Sequence, residues 1–177
     1  MASNVKKYIL TAIILGSIAA VAGGAVALTN LVTEKKIKQN ENNKLIAGVQ
    51  EIFHNDNAIV NPDDEIKVSN YSYTVSYYEV KDENDALIGY AFKSSGSNMY
   101  GKISLISGFD AVTHNFMSIY LLNNEQTYAT TLVDKYVTPL NNNKRDLDDV
   151  SCGATYGAKL VRDMVNEASK VANSLWK

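Results

Sequence analysis

Tyr8 to Thr33 reads YILTAIILGSIAAVAGGAVALTNLVT, an apolar run without one charged residue in a chain that is 20% charged overall. A bilayer core about 30 Å thick is crossed by about 20 such residues in a helix, so this stretch spans with some tilt. Lys6 and Lys7 precede it, which predicts a cytoplasmic N-terminus, although Lys35, Lys36 and Lys38 follow on the far side beside Glu34. Ala25-Val26-Ala27 is a small-residue cleavage pattern, so a removed signal peptide is the rival reading. The run is long for a signal sequence, and an uncleaved anchor suits it better. A buried core helix suits it poorly, because no polar face interrupts the apolar residues. No cysteine stands directly after the run, which excludes a lipid-anchored lipoprotein.

Outward from the anchor the composition changes. Glu34 to Asn43 is polar and charged, and predicts a helical continuation or stalk. Leu45, Val49, Ile52 and Phe53 then recur at helical spacing, so an amphipathic helix leads into the next domain and stops at Asn55-Asp56-Asn57. Asn61-Pro62-Asp63-Asp64 marks a second turn. The expected organisation is residues 1–33 as N-terminus and membrane anchor, 34–60 as stalk and leading helix, and 61–177 as one folded domain.

The middle of the chain reads as antiparallel sheet. Glu65 to Lys81 is rich in Tyr, Val, Ser and Thr, with Tyr71, Tyr73, Val75 and Tyr77 on one face by period two. That stripe suits sheet packing better than a ligand platform. Asp82 to Asp85 is a turn, Ala86 to Lys93 a second strand, and Ser94 to Asn98 a polar, Gly-containing loop. Tyr100 to Ser107 is a third strand, Gly108 to Ala111 a turn and Val112 to Leu122 a fourth strand; Asn123 to Gln126 breaks the sheet, and Thr130 to Tyr136 suits a short helix. The fold class is therefore α+β: an N-terminal transmembrane helix, then a small antiparallel sheet domain with flanking helices.

Composition narrows the chemistry. A length of 177 residues suits one ordinary domain, and 46% hydrophobic residues with only 2 Pro and 10 Gly exclude a disordered chain or a fibre. The net charge of -2 gives no basic face for nucleic acid. One cysteine and two histidines, His54 and His114, far apart in sequence, build no zinc site. No acid–base pair or nucleophile triad is visible, so no catalytic residue and no metal ligand is assigned.

The last third carries the chemistry. A polar loop, Asn141 to Asp149, runs into Val150-Ser151-Cys152-Gly153-Ala154-Thr155-Tyr156-Gly157, and from Ala158 the pattern is helical. Val161, Met164, Val165, Ala168, Val171, Ala172 and Leu175 lie on one side, while Lys159, Arg162, Asp163, Glu167 and Lys170 lie largely on the other. The first N–H groups of a helix lack internal partners and sit at the positive end of its dipole. Small residues there let an anion approach, which makes this turn a candidate phosphate site. The Thr155 hydroxyl has three options: to hydrogen-bond a phosphate, to cap the helix, or to be esterified. By local chemistry alone the cap is the plainest of them.

Asp149-Val150-Ser151-Cys152-Gly153-Ala154-Thr155 resembles the Asp-x-x-Ser-Gly-Ala-Thr flavinylation motif of the FMN-binding domain family. The order of anchor, stalk helix, sheet domain and C-terminal motif is similar to that of the RnfG subunits of Rnf complexes. Gly89-Tyr90-Ala91-Phe92 and the strands around Gly108-Phe109-Asp110 resemble those subunits too, over most of residues 34–177. The resemblance implies FMN, taken from FAD by a flavin transferase and joined through its phosphate to Thr155. It implies cofactor contacts at Asp149, Cys152, Gly153, Ala154, Tyr156 and Gly157. Cys152 stands where the family has Ser or a similar small residue, and suits the part of a small residue beside a bulky cofactor better than that of a redox thiol. Asp149 serves either recognition by the transferase or capping of the turn. In the family a Glu-Thr-Pro-Gly-like loop lies near the flavin ring. Here Asn124 to Thr130 takes its place, with Glu125 as the acid, Thr127 as the threonine at one residue of offset, and no Pro or Gly.

The implied function is electron relay by a membrane-anchored, extracytoplasmic flavoprotein. Its partners would be the other membrane subunits of an Rnf-type complex that couples ferredoxin and NAD to ion transport, and alone it would have no complete activity. A stand-alone flavinylated electron carrier and a non-redox anchored domain are the alternatives.

Overall fold

The computed structural model describes residues 2–176. Met1 and Lys177, the outer ends of the expected segments, and the side chains of Lys6 and Lys7, on which the expected topology leans, lie outside what is described. The first helix, α1, covers Ala2–Phe53. Within it, Tyr8–Ala27 is long and apolar enough to cross a membrane, with a mean hydropathy of 2.2 and none of it buried in the structure. Residues 1–41 and 42–177 form two compact units.

The second unit is an α+β domain around a five-stranded antiparallel sheet in meander order: β1 (Ile66–Lys67), β2 (Thr74–Lys81), β3 (Leu87–Asn98), β4 (Gly101–Asp110) and β5 (Phe116–Asn124). Short connections between successive strands make that order the natural one. Both faces of the sheet are covered. On one, the end of α1 packs Leu45, Val49 and Ile52 against Tyr78, Val80, Ala91 and Ile106. On the other, the C-terminal helix (Thr155–Leu175, α4 in chain order) packs Ala158, Val161, Met164, Val165 and Ala168 against Phe92, Ile103, Leu105, Phe109 and Ile119. The helical segment 129–141 closes the same side. It runs as α2 (Ala129–Leu132), a π turn (Val133–Val137) and α3 (Thr138–Asn141), and so extends the short helix predicted over Thr130 to Tyr136.

Several strand assignments change. Ser94 to Asn98, predicted as a loop, is the second half of β3, paired with β4 as far as Asn98 and Gly101. Small polar residues mimic a turn there because a helix lies close. A Cβ on Gly96 would come within 2.9 Å of Met164 Cε and of Tyr73 Cδ1, and the hydroxyls of Ser95 and Ser104 meet across the strands at 3.0 Å. Gly108 to Asp110 likewise belongs to β4, where a Cβ on Gly108 would collide with Ile52 Cγ2. The turn falls at residues 111–115, after Asp110 accepts from the Val112 and Thr113 amides at 2.9 and 2.6 Å. The strand predicted from Val112 to Leu122 therefore starts at Phe116 instead. It continues through Asn123 and Asn124, predicted as a break, because both pair with β4. Finally, Glu65 to Lys81 is not one strand. β2 starts at Thr74 and buries Thr74, Ser76, Tyr78 and Val80, while Val75 of the tyrosine stripe is 47% exposed. Tyr73 and Tyr77 do pack against the core, on the α4 side of the sheet.

Candidate functional site

The site begins with the turn before α4. Gly153 adopts a φ of +81°, a left-handed conformation that a residue with a Cβ adopts only under strain. Ala154 is the N-cap, with no side-chain cap bond, and the first helical bond runs from the Ala158 amide to the Ala154 carbonyl at 3.0 Å. Thr155 is therefore the first helical residue and does not cap the helix, which removes the plainest of the readings of its hydroxyl. Among the described residues no hydrogen bond takes up the N–H groups of Thr155, Tyr156 and Gly157. An open helix start of this kind attracts an anion or a polar ligand.

A cavity of about 290 Å³ lies against this turn. Gly153, Ala154, Thr155, Tyr156 and Gly157 form one wall; Tyr100, Gln126, Tyr128 and Leu132 form the other. No charged side chain lines it. Three tyrosines gather at its edge: the Tyr100 ring lies 5.4 Å from that of Tyr156 and 5.9 Å from that of Tyr128, centroid to centroid. Tyr128 and Tyr156 are 53% and 57% exposed, so both present aromatic surface at the cavity edge. Lys159 sits 5.9 Å from the Tyr156 ring centroid and supplies the nearby positive charge.

The structure thus brings together five of the nine residues singled out in the sequence. The other four stand apart from the cavity wall. Cys152 is buried in the core cluster beneath the turn. Asp149 accepts from the Ser151 amide at 3.3 Å, a turn-capping contact, and pairs with Arg145 at 3.2 Å. Arg145 also donates to the carbonyls of Asp149 and Ser151 at 2.7 and 3.3 Å, and so staples the loop that leads to Thr155. Glu125 accepts from Asn123 Nδ2 at 2.8 Å, and Thr127 donates its amide and hydroxyl to the Tyr100 carbonyl at 2.9 and 3.3 Å. Their neighbours Gln126 and Tyr128 line the cavity instead.

Tyr100, Gln126, Tyr128, Leu132 and Arg145 escaped the reading of the sequence. Alternation along 125–128 hints at the pair Gln126 and Tyr128. For Tyr100 and Leu132 no local signal exists, because tertiary packing alone carries them to the start of α4.

Fold and site together define an α+β domain with a tyrosine-rimmed cavity at an open helix start, preceded by one helix that fits a single-pass membrane anchor. Residues 1–52 match the family model described as the RnfG N-terminal region, which supports the resemblance to the RnfG component of the Rnf complex. The match ends before the sheet, so it does not extend over the cavity. No curated protein matches the chain.

Proposed function

We propose that this chain is an RnfG-like, membrane-anchored flavoprotein that carries FMN on Thr155 and relays electrons within an Rnf-type complex. One observation carries the reading. The threonine of the Asp-x-x-x-Gly-Ala-Thr pattern stands at the uncapped start of α4 and on the wall of the cavity. The match of residues 1–52 to the RnfG N-terminal region supports the setting.

The residues present fit the group. Gly153 and Ala154 leave room for a phosphate beside open backbone amides, and the exposed tyrosines Tyr128 and Tyr156 suit a flat heteroaromatic ring. A lining without charged side chains admits a ring of low charge. In maturation, the Thr155 oxygen would bond to the FMN-side phosphorus of FAD and lose its proton. The pyrophosphate P–O bond would break, and AMP would leave with the electron pair. Bound FMN supplies reversible one- and two-electron chemistry at its ring. The chain's part is to tether, to orient and to tune. Thr155 keeps the cofactor from diffusing away, the tyrosines hold the ring plane, and the anchor keeps the domain beside its membrane partners. The FMN domain would lie on the extracytoplasmic side, where a lost cofactor is not recovered.

Intact mass of the purified chain tests this, with and without a co-expressed flavin transferase, beside Thr155→Ala. The expected result is a gain of one FMN residue that vanishes in the variant. An unmodified chain in every sample, with the transferase active on a control substrate, would refute the reading and favour a non-redox anchored domain. Purification in mild detergent separates the remaining choice: a member of a complex brings its membrane partners with it, whereas a stand-alone carrier comes alone.

A further inference from the structure

Gln126 is one of the few buried polar side chains of the domain, only 7% exposed, and it lines the cavity. Its Nε2 donates to the Gly101 carbonyl. That bond decides which end of the carboxamide is which, and leaves Oε1 as the end without a hydrogen bond among the described residues. Oε1 lies toward the start of α4, 3.3 Å from where a Cβ on Gly157 would stand. The side chain is held from its backbone as well, since the Gln126 amide donates to Asn124 Oδ1 at 3.2 Å. Oε1 opens on the cavity and is not enclosed by protein, so a ligand that covers it without supplying a donor costs free energy. Glu125 and Thr127, on either side, spend their polar atoms on Asn123 and on the Tyr100 carbonyl.

We infer that Gln126 is the specificity-determining residue of the cavity: its Oε1 accepts a hydrogen bond from an N–H on the edge of the bound heteroaromatic ring. This rests on the FMN reading, under which that donor is the pyrimidine N–H of the flavin. A ring lacking the N–H leaves Oε1 buried and unpaired, so the cavity discriminates against it. Gly157 serves the same contact, because a side chain there would crowd both Oε1 and Leu132 Cδ2.

The test uses the full-length chain in detergent, produced without the transferase and titrated with riboflavin and with riboflavin methylated on that nitrogen. Wild-type protein should bind the methylated ring at least about tenfold more weakly, and the gap should shrink below about threefold in Gln126→Leu. A gap that survives in folded Gln126→Leu is steric and overturns the inference, as does equal binding of both compounds by the wild type. A second measurement needs no variant. Protein loaded with FMN carrying heavy nitrogen at that position should show, by NMR, an N–H proton protected from exchange with water. An unprotected proton overturns the assignment even where Thr155 is fully flavinylated. Failure of both free binding and covalent loading, by contrast, overturns the FMN reading itself and this inference with it.

Discussion

Glu167 offers a test of how the domain is held together around α4. Its carboxylate accepts three backbone amides at the start of β2: Ser72 at 2.9 Å, and Tyr73 and Thr74 at 2.6 Å each. Hydrogen bonds to a charged group contribute about 1.5 kcal/mol or more where they are partly buried. Counting the Tyr73 and Thr74 bonds, and nothing for the exposed Ser72 amide, Glu167→Ala should cost about 3 kcal/mol. For a domain of this size that lowers the melting temperature by about 12 °C. Glu167→Gln keeps an acceptor oxygen for the Tyr73 and Thr74 amides but removes the charge that strengthens both bonds, and should lose about half as much. The pH dependence has a definite sign. Burial raises the Glu167 pKa, but the Thr74, Tyr73 and Ser72 amides outweigh it and hold the carboxyl below its ordinary value. A depressed folded pKa means that the contribution is complete above the unfolded value of about 4.3 and is lost as pH falls through the folded one. The gap between wild type and Glu167→Gln should therefore stay constant from neutral pH down to about 5 and close in stronger acid. Thermal melts followed by circular dichroism across that range measure it. A fall of less than about 3 °C for the alanine variant, or a gap that widens on acidification, would refute the reasoning.

Two further outcomes follow from the same packing. A chain begun at residue 42 should fold without the apolar run and remain in the aqueous fraction, whereas one begun at residue 54 should not fold. The second loses Leu45, Val49 and Ile52, all at most 5% exposed, at about 2 kcal/mol each, which approaches the whole stability of a typical domain; proteolysis and melting distinguish the two. Gly153→Ala meets no steric obstacle, since its Cβ would lie 3.5 Å from Thr131 Cγ2, but it forces an alanine to φ +81°. It should cost about 1–2 kcal/mol and slow FMN attachment to Thr155, as read from the melting curve and a mass time course.

Much of the architecture was legible from the residues alone. The run Tyr8 to Thr33 reads as one continuous helix that fits a membrane anchor by length and absence of charge, and α1 contains it, with Tyr8–Ala27 long and apolar enough to cross. The C-terminal helix shows its buried side through Val161, Met164, Val165, Ala168, Val171 and Ala172, because a helix that covers a sheet must repeat its apolar residues every turn. The turn Gly153-Ala154 and its threonine were legible too, since backbone conformation and side-chain size are local properties.

Tertiary structure decided the rest. Ser94 to Asn98 looks like a loop by composition and becomes a strand because β4 pairs with it and α4 lies against Gly96. Glu167 sits among the polar residues of α4 and reads as solvated, yet its carboxylate anchors the start of β2, more than ninety residues away in the chain. The cavity itself joins Tyr100 from a hairpin turn, Gln126 and Tyr128 from the loop after β5, and the first turn of α4. Periodicity and composition report what a segment prefers against its own neighbours. Which segments meet, and which acceptor is left facing a cavity, depends on contacts between residues far apart in the chain.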